Sequence, residues 1–186
     1  MILMGPWEVQ PGLFRFLFGD RWEYAIEVEA SDPDPLPASW GSLWLWVEGE
    51  IIGNPQADEQ LGIVADWLRY LASMAGKRPA SVFHDLDATS RLSLFEWWSS
   101  QSKSDPPYEW WSNPDFDATN YFLSHIQAGP ALDHWWAMLM ETEDAEIVTW
   151  RAPGSTAVRD ACLPKGTYND VVSAFLHWLN RKNGPA

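Results

Sequence analysis

The chain has 186 residues, with 26 acidic and 12 basic side chains, a formal net charge of −14 and a sequence pI near 4.4. That length predicts one domain over residues 1–186, with a core large enough to fold without covalent staples, and the single Cys162 excludes a disulfide framework within the chain. The acidic field repels phosphate, so nucleic acid is excluded as an expected ligand, whereas the same field attracts a basic protein partner.

Targeting signals and membrane spans are not predicted. No apolar run approaches the length of a transmembrane helix, and Met1 to Pro6 lack the basic and apolar regions of an export signal. We therefore expect a cytoplasmic protein with no membrane contact. Cys162 lies in an apolar stretch, where we expect a small buried thiol rather than a nucleophile.

The first predicted element is an antiparallel hairpin. Its strands, Leu13 to Phe18 and Trp22 to Val28, flank the turn dipeptide Gly19-Asp20. Apolar residues alternate in the second strand with Glu27 and Glu29, which predicts a solvated acidic face.

A loop and a central strand follow. Three prolines between Ser31 and Pro37 prevent strand pairing there. The run Gly41 to Glu48 is apolar on both faces, which predicts a strand in the middle of a sheet. Gly49 then permits a tight bend into Ile51 and Ile52.

Two helices are predicted next. The first begins at Asp58 or Glu59 and extends to about Met74, with a buried seam at Leu61, Val64, Leu68 and Leu71. After a linker at residues 77–79 and a short extended piece at Val82-Phe83, Asp87 caps a second helix that extends to about Trp98. Its predicted inward residues are Leu92, Phe95 and Trp98.

The last third of the chain alternates strands with one helix. Strands are predicted at Asn120 to Ile126, His134 to Met140, Ile147 to Trp150 and Val158 to Leu163. Thr167 is the predicted N-cap of a terminal helix, and Asp170 forms a capping box with it. One apolar stripe on that helix comprises Tyr168, Val171, Val172, Phe175, Leu176 and Leu179.

These elements predict an α+β fold: a single domain with a largely antiparallel β-sheet of six to eight short strands and about three helices packed against it.

The segment from Ser99 to Asp117 has no helical or strand period. A long irregular loop runs over the surface and often carries function, and this one contains adjacent tryptophans. We expect it to form the partner-binding site, with the residues Tyr108, Glu109, Trp110, Trp111, Asp115 and Asp117. The alternative is that the loop folds back and its rings cap the sheet.

No catalytic, cofactor-binding or metal-binding residues are predicted. The glycines form no phosphate loop, no nucleophile elbow occurs, and the histidines at positions 84, 125, 134 and 177 lack the spacing of metal ligands, although His84-Asp85 with Asp87 remains a weak chelating option. A non-enzymatic binding protein is therefore expected. The open alternatives are an acidic adaptor, a carbohydrate-binding module that uses the tryptophan-rich loop, and a small hydrolase.

Two stretches of the chain resemble the immunity protein 42 family. The first is Trp44-Leu-Trp-Val-Glu-Gly49 with Ile52-Gly53 and the helix that follows. The second is Glu146-Ile-Val-Thr-Trp150 with Leu163-Pro-Lys-Gly166 and the terminal helix. The proline-rich insertion and the tryptophan-rich loop depart from the family pattern.

The resemblance implies a function. Members of that family are small cytosolic proteins that neutralise toxin domains of bacterial polymorphic-toxin and contact-dependent competition systems. It implies a non-enzymatic inhibitor that occludes the active site of a basic toxin, such as a nuclease, deaminase or ADP-ribosyltransferase. The expected form is a monomer or a 1:1 complex with the toxin domain.

Overall fold

A computed structural model describes residues 12–83, 85–99, 117–124 and 129–181, with the side chains of Trp98 and Ser99 outside the description. Within these ranges the chain forms eight strands and three α-helices. The strands are β1 (Phe14–Gly19), β2 (Tyr24–Ala30), β3 (Trp40–Val47), β4 (Glu50–Ile52), β5 (Asp58–Gln60), β6 (Trp136–Glu141), β7 (Ala145–Arg151) and β8 (Arg159–Pro164). The helices are α1 (Leu61–Ser73), α2 (Ala88–Ser99) and α3 (Thr167–Leu179).

The strands form two antiparallel sheets. Sheet A has the order β1-β2-β3-β4, and β5 pairs with the start of β3 on the same side as β4. Sheet B has the order β6-β7-β8. The predicted α+β class and antiparallel pairing are therefore confirmed, although the strands are divided between two sheets.

The main core lies between the two sheets and the helices α1 and α3. Alternating residues of β2 and β3 face this core, and so do alternating residues of sheet B, including Leu139 and Val148. The terminal helix contributes the predicted stripe, in which Phe175 is fully buried and Leu176 is partly buried. The apolar residues that recur with helical period in α3 and with alternating period in the strands thus lie together in one core.

A second core covers the other face of sheet B. Helix α2 packs on β6 and β7 there, and its Phe95 ring stacks on Phe122 with the ring centroids 3.8 Å apart. The predicted inward residues Leu92 and Phe95 are buried as expected. Asp87 caps the helix as predicted, because its carboxylate accepts the backbone N–H of Ser90 at 2.7 Å.

The start of α1 differs from the prediction. Asp58–Gln60 is a strand, and the helix begins only at Leu61. The cause is a contact distant in sequence. Residues 58–60 pair with the edge of β3 as an antiparallel strand, so that Trp40 lies opposite Gln60 and Ser42 opposite Asp58. The hydrogen bonds that these residues form with the edge of β3 outweigh their intrinsic tendency to begin a helix.

Two predicted extended segments are also helical turns. Val82-Phe83 lies in a 3-10 helix, Ala80–Phe83, and residues 118–121 form another, Ala118–Tyr121, where a strand was predicted. In the described part of the predicted strand Asn120 to Ile126, Phe122 forms an isolated bridge to Met138. Short apolar stretches do not separate strands from tight turns by pattern alone.

The N-cap of α3 is Gly166 rather than Thr167, and the predicted capping box with Asp170 does not form. Gly166 has a φ of +91°, which glycine adopts without strain. The carboxylate of Glu146 on β7 accepts the backbone N–H groups of Gly166 and Tyr168 instead. A residue distant in sequence thus performs the role predicted for the local Thr167.

The acidic face predicted for β2 is not solvated. Glu27 is 1% exposed and accepts hydrogen bonds from Arg21 at 2.7 Å and from the Trp46 indole at 2.6 Å. The guanidinium of Arg15 lies 5.8 Å from the Trp44 ring centroid on the same face. The guanidinium of Arg21 likewise lies 4.9 Å from the Trp46 ring centroid, and both arginines contact Glu27, which is thereby buried as an ion pair.

Cys162 is exposed, contrary to the buried thiol that the sequence predicts. Its neighbours Ala161 and Leu163 face the main core, so alternation directs Cys162 to the opposite face of sheet B. Helix α2 packs mainly on β6 and β7 on that face and reaches the edge strand β8 through the ion pair of Arg91 with Asp160. An apolar stretch on an edge strand can therefore still expose alternate residues.

Candidate functional site

Most of the predicted partner-binding site lies outside the described residues. This holds for Tyr108, Glu109, Trp110, Trp111 and Asp115. Asp117 is described and exposed: its carboxylate accepts the Thr119 backbone N–H at 3.0 Å and the Thr119 hydroxyl at 2.6 Å. Asp117 therefore caps the 3-10 helix that follows it.

No metal centre is found in the described ranges, where no group of three or more His, Cys, Asp or Glu side chains is arranged to hold an ion. His134 and His177 are exposed, whereas His84 and His125 lie outside the description. The chelating option that the sequence left open at His84 thus falls beyond the described residues.

One buried ion pair involves Arg78, whose side chain is fully shielded from solvent. Its guanidinium contacts Glu141 with Nε and Oε1 2.8 Å apart, and the other carboxylate oxygen of Glu141 accepts from the Gly76 backbone and Lys165. Burial raises the pKa of Glu141, but these hydrogen bonds and the Arg78 charge outweigh it, so the pKa lies below its usual value. The pair joins the end of α1 to sheet B.

A cavity of about 630 Å³ opens beside this ion pair. It is lined by Glu141, Lys165, Arg91 and apolar residues that include Phe83 and Met140. Three of its charged groups are paired, since Glu141 contacts Lys165 and Arg78, and Arg91 contacts Asp160, whereas the exposed Glu143 has no ion pair within the described residues. The arrangement offers structural ion pairs rather than a nucleophile with an adjacent base.

A second buried carboxylate has no such pairing. Glu59 on β5 is 2% exposed, and within the described residues neither of its carboxyl oxygens has a regular hydrogen bond. Burial raises the pKa of this carboxyl to about 8, and the nearby backbone of Ala131 offsets only part of the effect. A Cβ at Gly129 would lie 1.8 Å from Glu59 Oε2, so this close approach requires glycine.

At one end of sheet A, two hairpin turns are joined. The backbone N–H of Glu48 donates to the backbone carbonyl of Glu23 at 3.1 Å, and that of Gly49 donates to the backbone carbonyl of Arg21 at 2.7 Å. Glu48 and Gly49 both have positive φ, 49° and 80°, as a two-residue primed turn requires. We call residues 20–23 and 48–50 the hairpin tip.

Trp22 is the prominent side chain of the hairpin tip. It is 78% exposed, and its ring lies over Gly49, where an added Cβ would come within 2.5 Å of it. Its backbone N–H donates to Asp20 Oδ1 at 2.9 Å, which fixes the turn. Trp22 was predicted to begin a strand. Its neighbours in sequence do not distinguish it from the other thirteen tryptophans, so its exposure could not be predicted.

Two shallow cavities adjoin the hairpin tip. One, of about 440 Å³, is lined by Gly49, Glu50 and several aromatic residues, among them Trp46, Trp135 and Trp150. The other, of about 260 Å³, is lined by Glu48, Glu50, Trp150, Arg159 and Asp160. This end of the molecule therefore combines aromatic rings with carboxylates and with the arginines Arg151 and Arg159.

The model of the family described as immunity protein 42 matches residues 15–178 of the chain. The matched range extends from β1 to the last turn of α3 and includes both sheets. The chain belongs to the immunity protein 42 family. The resemblance found in the sequence is thereby confirmed.

A solved structure shares the fold of this immunity protein 42 family member. It is the crystal structure of CdiI from Burkholderia dolosa AUO158, with a TM-score of 0.60 and 17% sequence identity over 87% of this chain and 98% of that chain. No curated protein matches the chain in sequence. None of the helices in the described ranges is long and apolar enough to cross a membrane.

The stretches that carried the family resemblance occupy distinct places in the fold. The first forms the end of β3 and the turn of the hairpin tip, and the second comprises β7, the end of β8 and α3. In the second stretch Glu146 holds the start of α3, so its fit to the family pattern follows from the fold. In the first, Glu48 and Gly49 form the base on which Trp22 lies.

Proposed function

We propose that this chain is a non-enzymatic immunity protein that binds the toxin domain encoded beside it and blocks that domain's active site. The observation that carries the proposal is the family match over residues 15–178. The structural likeness to CdiI supports the same fold.

The charge of the chain supports a basic toxin partner. A net charge of −14 accelerates association with a cationic protein and opposes association with nucleic acid. Domains that act on nucleic acids or nucleotides are commonly basic at their active sites, because they bind phosphate. We therefore infer a nuclease, deaminase or ADP-ribosyltransferase as the toxin class, and an inhibitor that acts in the cytoplasm as a monomer in a 1:1 complex.

The test first asks whether a large secreted protein is encoded immediately upstream of this chain's gene, and then uses the C-terminal domain of that protein. The two purified proteins should form a 1:1 complex in size-exclusion chromatography with light scattering, and co-expression should restore growth to cells that produce the toxin domain. A chain that neither binds the domain nor restores growth, or that itself turns over a hydrolase substrate, contradicts the proposal.

A further inference from the structure

The hairpin tip carries a large apolar side chain that is exposed to solvent. Trp22 is 78% exposed, more than any other large apolar side chain in the described ranges. Tryptophan is enriched among the residues that dominate the binding energy of protein interfaces.

The ring is also held in place before any partner arrives. It lies against the turn at Gly49, and the two turns of the hairpin tip are hydrogen-bonded to each other through Glu48 and Gly49. The Asp20 carboxylate fixes the Trp22 backbone. A side chain that is already ordered loses little conformational entropy on binding, so more of the contact energy appears as affinity.

The charge around the ring is negative and mostly uncompensated. Within the described residues, Asp20, Glu23 and Glu48 form no ion pair, and the nearby Arg21 is already bound to Glu27. In the adjoining 260 Å³ hollow, Glu50 is paired with Arg159 at 2.9 Å and Asp160 with Arg91 at 2.7 Å, so Glu48 is the carboxylate there that lacks an ion pair within the described residues. A lysine or arginine of a partner would complete this charge pattern.

We propose that the hairpin tip is the surface through which the protein contacts its basic toxin domain, with Trp22 as the central apolar contact and the adjoining hollow as the receptor for a basic side chain. This inference rests on the proposed function and identifies its contact surface. A neutral sugar can donate hydrogen bonds to these carboxylates but does not neutralise their charge, so a cationic protein fits this surface better than a carbohydrate does.

The first experiment measures binding of the upstream-encoded toxin domain to Trp22→Ala and to a matched control, Trp40→Ala. Trp40 is 66% exposed and begins β3, whereas the hairpin tip follows the other end of that strand. Trp22→Ala should weaken binding by about 30-fold or more, as expected for a dominant contact. Trp40→Ala should bind like the wild type, and both variants should melt at the wild-type temperature.

The second experiment tests the charge. Glu23→Lys with Glu48→Lys should slow association more than it accelerates dissociation, and added salt should reduce the difference. The matched control is Glu143→Lys with Asp144→Lys, which makes the same charge change at the exposed turn between β6 and β7. That control should alter association much less.

The outcomes separate the two proposals. If the wild type does not bind the toxin domain, the proposed function fails and the inference falls with it. If the wild type binds but the Trp22 and Glu23/Glu48 variants bind equally well, or if only Trp40→Ala weakens binding, the inference is overturned while the function stands. Trp22-dependent binding on a glycan array, without toxin binding, would replace both with a carbohydrate-binding module.

Discussion

Glu146 on β7 and Tyr168 on α3 are joined by a hydrogen bond of 2.8 Å from the Tyr168 backbone N–H to the Glu146 carboxylate. A second bond, of 3.2 Å, comes from the Gly166 backbone. Burial raises the pKa of Glu146, and these two amides oppose the effect. One buried side chain of sheet B thus satisfies the free backbone donors at the start of α3.

Replacing Glu146 with alanine should destabilise the fold by about 1–3 kcal/mol, because two buried N–H groups lose their acceptor. The control is Glu143→Ala, at an exposed acidic residue three positions earlier, which should change stability by less than about 0.5 kcal/mol. Urea unfolding followed by circular dichroism measures both. Equal stability of the two variants would show that water caps α3 adequately.

Removing one partner of the buried Arg78–Glu141 pair should be costly. Arg78→Met leaves the Glu141 carboxylate with only Lys165 as a charged partner and should cost about 3–5 kcal/mol. The exposed pair Arg69–Asp66 provides the control, since Arg69→Met should change stability by less than about 1 kcal/mol. Adding Glu141→Leu to Arg78→Met should recover part of the loss in a double-mutant cycle. If it adds a further independent loss, the two side chains are not coupled.

Phe175 is fully buried and lies 5.7 Å from Phe18 between ring centroids. Phe175→Ala should therefore cost about 3–5 kcal/mol through lost burial and a residual cavity. Ser173, on the exposed side of the same helix, supplies the control Ser173→Ala. Thermal melts compare them, and a loss under about 1 kcal/mol for Phe175→Ala would contradict the packing of α3 on sheet A.

Glu59 should make stability depend on pH. Its pKa is about 8 in the folded chain, against the ordinary glutamate value of 4.5, so the folded state holds a proton that the unfolded state releases between these values. Stability from this group is therefore complete below about pH 4.5 and is lost as pH rises through about 8. Glu59→Gln remains neutral and should lack this loss. Melting temperatures from pH 5 to 9 test it, and parallel curves for the two proteins would show that Glu59 is ionised in the folded state.

The tryptophan-rich loop remains a sequence-based prediction. Changing both Trp110 and Trp111 to alanine should weaken toxin binding with little change in melting temperature if the rings contact the partner. If they cap the sheet instead, the melting temperature should fall and the binding of the folded fraction should be unchanged. Calorimetry of binding and of unfolding on the same variant distinguishes the two cases.

Sequence patterns predicted correctly those helices and strands whose structure depends on residues nearby in the chain. The apolar stripe of α3 and the doubly buried strand β3 are of this kind, since period and composition define them. The strand at Asp58–Gln60 was missed because its partner is an edge created by folding. The burial of Glu27 was missed for a similar reason, since the arginine and indole groups that satisfy it come from neighbouring strands and turns.

The candidate site was less predictable than the fold. Exposure of a tryptophan depends on what covers it, and the chain contains fourteen. Trp44 and Trp46 alternate in one strand and are almost fully buried, whereas Trp22 is open to solvent beside them. Gly49 did predict a tight bend, but only the fold brings that bend against Trp22.

The packing of Phe16 on Trp178, with ring centroids 4.5 Å apart, also bears on the speed of folding. These rings come from opposite ends of the described chain, so the contact can form only after a very long loop has closed. Folds dominated by such distant pairings acquire their native state slowly, because chain entropy is lost before the contacts that compensate for it exist. Newly made molecules should therefore pass through a period in which β1 and β2 lack the cover that α3 gives them, while α1 can already pack on β3 and β5.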